Sequence, residues 1–161
     1  GEPPGHAGAR RDRLGRRPPG HAAFPGRTAV IVADTSAWVE FLRGSGHPTA
    51  RVLTELLERG EEIGLTEVIV MELLAGAGAE QLRPLRRRLV AFPLLRLRGL
   101  ADFEEAAWIY RTCRAAGETP RALSDCLIAV PVIREGATLL HNDADFEVIA
   151  RHTALRTYPL A

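Results

Sequence analysis

The chain contains no lysine: all 21 basic residues among its 161 are arginine. Phosphatases and phosphotransfer domains built on an acidic pocket need a nucleophilic Asp in an Asp-x-Asp pair and a nearby Lys. Here Asp34 is followed by Thr35 and Ser36, and the Lys is missing, so that class is set aside. Alongside abundant Ala, Leu and Gly, the all-arginine usage reads as the product of a GC-rich genome and not as a nucleic-acid signature. Cysteine is scarce. Cys113 and Cys126 fit no metal-ligand spacing, and free, buried thiols are expected. No apolar run approaches the roughly 18 residues that span a bilayer. The basic start lacks the apolar stretch of a signal peptide, so a cytoplasmic protein is expected. Phosphate-binding and nucleophile-elbow patterns (P-loop, Gly-x-Gly-x-x-Gly, Gly-x-Ser-x-Gly) are absent. The five His (6, 21, 47, 141 and 152) are scattered, and strand-end packing is the expected role of His141.

What remains is one domain's worth of chain, with ordinary apolar and charged fractions. Charge is unevenly spread. Residues 1–27 carry six Arg against Glu2 and Asp12, a net +4, whereas the fifteen Arg and eighteen acids that follow leave −3. The leader at 1–27 is rich in Pro, Gly and Arg and too poor in apolar residues to offset its ordering entropy, so disorder is expected there. Residues 28–161 form the expected folded domain.

Within that domain, apolar periods alternate. Short strands are expected at 29–33, 62–65, 92–97, 137–141 and 155–158. Helices are expected at 35–43, 48–59, 66–76, 80–91, 101–116, 124–135 and 143–151. Gly44 and Gly60 serve as C-terminal stops for the first two. The pattern assigns Val52, Leu53, Leu56 and Leu57 to one face, Leu82, Leu85 and Leu89 to another, and Phe103, Ala106, Tyr110 and Cys113 to a third. Trp108 falls about 140° from Phe103 on the helical wheel, on a polar side. Pro131, inside 124–135, removes one helical hydrogen bond and is expected to kink that helix. Strands separated by helices predict an α/β fold with a parallel sheet.

The chemistry-bearing residues are acids. Asp34 follows the strand Ala29–Ala33, and Asp143 follows Thr138-Leu139-Leu140-His141-Asn142. The carboxyl ends of parallel strands are where ligands bind in such sheets. Asp125 opens a helix, and Asp145 is a fifth candidate. Taken singly, Asp34 and Asp143 are explained equally well as helix N-caps, and Asp125 as an acid favoured by a positive helix end. Glu72 is different. It interrupts the apolar run Val68–Ala75, where a buried carboxylate is costly without a partner; a metal or a surface Arg could serve. Thr35, Ser36 and Asn142 stand beside the acids and could orient a carboxylate or water. Clustered carboxylates need a compensating cation, and hard oxygen donors suit Mg²⁺ or Mn²⁺. That combination points to metal-dependent phosphodiester chemistry.

Four segments carry a resemblance: Val32-Ala33-Asp34-Thr35-Ser36-Ala37-Trp38, Met71-Glu72-Leu73-Leu74-Ala75-Gly76, Ser124-Asp125-Cys126-Leu127-Ile128-Ala129 and His141-Asn142-Asp143-Ala144-Asp145-Phe146. In order and at compatible spacing, they resemble the motifs of PIN-domain ribonucleases, above all VapC toxins of bacterial VapBC toxin–antitoxin pairs. The likeness runs from about residue 29 to 158. It implies a three-layer α/β fold with a five-stranded parallel sheet flanked by helices. It also implies Mg²⁺- or Mn²⁺-dependent endoribonuclease activity, often on structured RNA such as tRNA. Asp34, Glu72, Asp125 and Asp143 match the family's metal-binding acids, and Asp145 its accessory acid. A VapB-type antitoxin and homodimerisation are implied as well. The leader departs from the family, whose members start close to the first strand. A catalytically inactive PIN-fold module that binds RNA or protein is the alternative, opposed by the intact acid set.

RNA-binding candidates are Arg43, after the first helix, and Arg121, just before Asp125. The run Arg86-Arg87-Arg88 reads as a solvated face. Trp38 reads as core before it reads as a base-stacking residue, and Trp108 as a partner or dimer surface.

Overall fold

The computed structural model of the chain describes residues 30–160, so the basic leader at 1–27 and Ala29 of the first expected strand lie outside the described residues. The strands are β1 (Ile31–Ala33), β2 (Ile63–Gly64), β3 (Thr138–Leu140) and β4 (Arg156–Thr157). The helices are α1 (Thr35–Arg43), α2 (Pro48–Glu58), α3 (Glu67–Gly76), α4 (Leu82–Leu89), α5 (Leu100–Ala115), α6 (Leu123–Arg134) and α7 (Ala144–His152). All strand pairs are parallel, in the order β2-β1-β3-β4, and helices flank the sheet in the expected three-layer α/β arrangement. Strands β1, β2 and β3 are largely apolar and buried because both sheet faces are covered there: Val32, Ala33, Ile63, Leu139 and Leu140 are all buried. Gly64 has a local reason to be glycine, since a Cβ there would lie 2.7 Å from Leu95 Cδ1.

The sheet has four strands where five were expected. Segment 92–97 contributes only an isolated parallel bridge between Leu94 and Leu65. The Leu65 N–H donates to the Pro93 carbonyl (2.9 Å) and the Leu95 N–H donates to the Leu65 carbonyl (2.8 Å). Pro93 has no N–H with which to lengthen the ladder. Further along, side chains take the backbone groups a ladder would need. The Arg96 carbonyl accepts from Arg134 Nη2 at 2.6 Å, and the Leu97 N–H donates to Glu67 at 3.0 Å.

Two helix faces also differ from expectation. The buried side of α5 is Asp102, Ala106, Ile109 and Cys113, while Phe103 is 53% exposed. The reason is an ion pair between a buried carboxylate and a partly buried guanidinium. Arg134 Nη1 donates to both carboxylate oxygens of Asp102 at 2.7 Å, and the Arg98 N–H adds a bond at 2.8 Å. Burial alone would raise the Asp102 carboxyl, but these donors hold it below its ordinary value. Holding Asp102 against α6 turns the helix by one residue, and Phe103 faces outward. On α4, Leu89 is buried but Leu82, the first residue of a short helix, is exposed.

Other expectations hold. Gly44 and Gly60 end α1 and α2 in the left-handed region (φ 61° and 69°). Trp38 is core, packed edge-on against Phe41 and Phe92. Cys113 and Cys126 are free and buried. At Pro131, where a kink was expected, α6 is a single helix from Leu123 to Arg134 with that residue buried inside it.

Removing one partner of a buried ion pair leaves an uncompensated charge, a loss on the order of 3–5 kcal/mol. Arg134→Ala should therefore lower the denaturant midpoint sharply at pH 7. A loss below about 1 kcal/mol would show that the pair behaves as an ordinary surface contact.

Candidate active site

Chain order reverses between β1 and β3, which makes the crevice at their carboxyl ends the topological switch point of the sheet. Asp34 leaves β1 there and Asp143 leaves the loop after β3. The Asp34 N–H donates to the Leu140 carbonyl (2.9 Å), tying the two strand exits together. Both acids do cap helices. Asp34 Oδ2 accepts from the Ser36 N–H at the start of α1 (2.9 Å), and Asp143 Oδ1 accepts from the Asp145 N–H at the start of α7 (3.0 Å). Capping and clustering are thus one arrangement: the caps anchor the carboxylates at a shared edge.

Ser36 is the hub of this edge. Its hydroxyl donates to Asp34 Oδ2 (2.6 Å) and accepts the Asn142 backbone N–H (2.8 Å). Asn142 therefore contributes its backbone, not the side-chain amide expected from sequence. Asp34 is 4% exposed, and burial pushes its carboxyl above the ordinary range against the Ser36 bonds, with Glu72 adding to the rise. Glu72 is partly buried and receives a short hydrogen bond from the Thr35 hydroxyl. Its protein partner is thus a neighbour of Asp34 and not a surface Arg.

Asp125 lies in the first turn of α6. Its pKa is pushed up to about 7, first by burial, then by Asp34, Asp143, Asp145 and Glu72. No hydrogen bond from a described residue reaches its carboxylate. Carboxylate oxygens of Asp125, Asp143 and Asp145 all lie within 4.8 Å of one another. The amino ends of α1, α6 and α7 meet here, and their partial positive charge offsets some of the repulsion.

Arg121 supplies a full positive charge. Its backbone N–H and Nε donate to the two oxygens of Asp145 (2.6 and 3.0 Å), and its Nη2 donates to Asp143 Oδ1 (2.6 Å). These bonds span 22 to 24 residues, so nothing local in the sequence reveals them. Arg43 is not brought to the cluster. It ends α1 while Asp34 begins it, a rise of roughly 13 Å along the helix axis. His141 is buried, its ring 5.2 Å from that of Phe146; Nδ1 accepts the Asp143 N–H, so Nε2 carries the proton and donates to Glu147.

The donors fit a hard divalent cation: all are carboxylate oxygens, and one of them, Asp125, has neighbours that repel its charge and no hydrogen bond that stabilises it. Asp125 and Asp143 could ligate together, with Asp145 completing the group within 4.8 Å or with Asp34, which is not in that group; Glu72 is bonded to Thr35.

Comparison with known proteins bears on the family and the fold. The PIN domain family matches residues 31–152. The chain is 46% identical over 129 residues to VapC ribonuclease Mb1587 of Mycobacterium bovis and to ribonuclease VapC11 of Mycobacterium tuberculosis, covering 79% of this chain and 96% of each relative. Among solved structures, VapBC2 of Rickettsia felis bound to a promoter DNA fragment superposes with a TM-score of 0.62 at 19% identity, over 80% of this chain and 97% of that one. DNA-bound VapBC of Salmonella typhimurium gives 0.64 at 16% identity, over 83% and 100%. The structural likenesses show the fold; the family match and the sequence relatives show descent, and the chain belongs to the PIN-domain family, alongside its VapC proteins.

Proposed function

We propose that this protein is the toxin of a VapBC-type pair, a cytoplasmic endoribonuclease that uses Mg²⁺ or Mn²⁺ and is held inactive by a VapB-type antitoxin. The observation that carries the reading is the partly buried Asp125 carboxylate among four other acids, with no hydrogen bond from any described residue. Its relatives' names, VapC ribonucleases, support the substrate class, and the VapBC complexes among its structural neighbours support the partner. Structured RNA such as tRNA is the substrate to try first.

Asp34, Asp125 and Asp143 would hold the cation. A divalent ion there would acidify a water and neutralise charge developing on the scissile phosphate. The protein's own part is to orient. Glu72, fixed by Thr35, would direct the attacking water by accepting its hydrogen bond. Ser36 keeps Asp34 from turning. Arg121 is 71% exposed, and its Nη1 bonds to no described residue, leaving it available to an RNA phosphate. In the net reaction water adds to phosphorus, one ester P–O bond breaks, and the departing oxygen takes a proton. Homodimerisation would cover part of α5, where Leu100, Phe103 and Trp108 are exposed.

Purified protein should cut cellular RNA into discrete fragments with Mg²⁺ or Mn²⁺, and EDTA should stop it. Asp125→Asn should lose the activity by at least 100-fold while keeping its fold. Cleavage by Asp125→Asn at the wild-type rate would overturn the assignment.

Stability should follow the same carboxylate. Asp125 has its folded pKa raised from 3.8 to about 7, so the folded state binds more protons than the unfolded one between those values. Stability in EDTA should then fall as pH rises from 5 to 7.5. Asp125→Asn should flatten this slope, and Mg²⁺ should raise the wild-type Tm most at the upper end. Equal slopes for the two proteins in thermal melts would contradict the assigned environment.

A further inference from the structure

Asp145 is the odd member of the cluster. It is 5% exposed, and both its oxygens are already taken by Arg121, one by the backbone N–H and one by Nε. Asp143 is half engaged. Its Oδ1 accepts from Arg121 Nη2 and from the Asp145 N–H, while Oδ2 receives no hydrogen bond from a described residue. Asp125 receives no hydrogen bond at either oxygen from a described residue. The hydrogen bonds therefore sort the three clustered acids into one that is saturated, one that is held by a single oxygen, and one that is open.

We propose that Arg121 is a positioning residue and Asp145 its anchor: together they grip Asp143 by Oδ1 and leave Oδ2 for the cation, and Asp145 is not itself a ligand. The proposal rests on the cation site inferred above. A planar guanidinium on two carboxylates, locked further by its own main-chain N–H, fixes direction as well as charge; a lysine ammonium cannot reproduce that fork. Outer partners of this kind are worth on the order of 10–100-fold in metal affinity when lost.

A simpler role would be charge balance, and it predicts the opposite sign. If Arg121 only neutralised the acids, deleting it would make the site more negative and tighten cation binding. Its side chain is 71% exposed, so solvent screens its repulsion of a bound cation, while its directional bonds survive screening. Orientation should win.

The test is titration of purified full-length protein with Mn²⁺ alone, by calorimetry, for wild type, Arg121→Ala and Arg121→Lys, with Tm measured in EDTA. Both variants should bind Mn²⁺ about 10-fold or more weakly; Arg121→Ala should also lower the Tm in EDTA, since it strips buried Asp145 of a charged partner, whereas Arg121→Lys keeps the charge and should lower it less. Arg121→Ala binding as tightly as wild type, or more tightly, would overturn the positioning role. Should Arg121→Ala fail to fold, Arg121→Lys, which keeps the charge, decides the same question by the same comparison with wild type. Asp145→Asn should match Arg121→Lys; a much larger loss in a folded Asp145→Asn protein would make Asp145 a ligand after all. A wild type that binds no Mn²⁺ would instead sink the cation site itself, so the two failures are told apart.

Discussion

Mutual repulsion among carboxylates at one sheet edge is the constraint to which the rest of the structure answers. Asp34, Glu72, Asp125, Asp143 and Asp145 come from a strand exit, a helix interior, a helix start and a loop after a second strand, and each by itself would be more stable in water. The fold disposes of most of this cost locally. Ser36 takes Asp34, Thr35 takes Glu72, and Arg121 takes Asp145 and half of Asp143. Three helix amino ends converge on the remainder. What is left over is Asp125, whose carboxyl is pushed up to about 7 by burial and by the neighbouring acids, with no hydrogen bond from a described residue to offset them. A site that compensates four acids and leaves one open is arranged for an external cation.

The scaffold explains how so short a sheet can support this. β1 and β3 are three residues each, fully paired and buried on their inner positions, and the exits of both point to the same crevice. The Asp34 N–H to Leu140 and the Ser36 hydroxyl to Asn142 stitch those exits at main-chain level. On the far side of the domain, the Asp102–Arg134 pair pins α5 to α6. Because α6 carries Asp125 at its amino end, a contact remote from the crevice helps set where that acid sits.

Much of the crevice was legible in the sequence. Acids placed after apolar strands report the carboxyl edge of a parallel sheet without any pairing information, and a Glu inside an apolar helix signals a partner before the partner is known. Gly44 and Gly60 marked helix ends through the left-handed backbone they adopt. The misreadings share a physical cause: each depended on a partner far away in the chain. Phe103 reads as core until Arg134, 32 residues from Asp102, draws Asp102 inward. Segment 92–97 reads as a strand until Glu67 and Arg134 claim its backbone groups. Arg121 reads as a phosphate contact alone, because its bonds to Asp145, 24 residues on, are out of reach of any local pattern. Asn142 meets the edge through its backbone N–H, which donates to Ser36, and periodicity says nothing of whether backbone or side chain makes a bond.

The most direct test of a carboxylate cluster left open for a cation is proton release on metal binding. Mn²⁺ titrated into the protein at pH 6.5, in buffers of different ionisation enthalpy, reports the number of protons displaced. With Asp125 titrating near 7, more than half of that carboxyl is protonated in the free protein, and binding should expel a measurable fraction of a proton per Mn²⁺, falling toward zero by pH 8.5. Tight binding with no proton released at pH 6.5 would mean that Asp125 is already ionised and stabilised without the cation, the opposite of an acid left open for one.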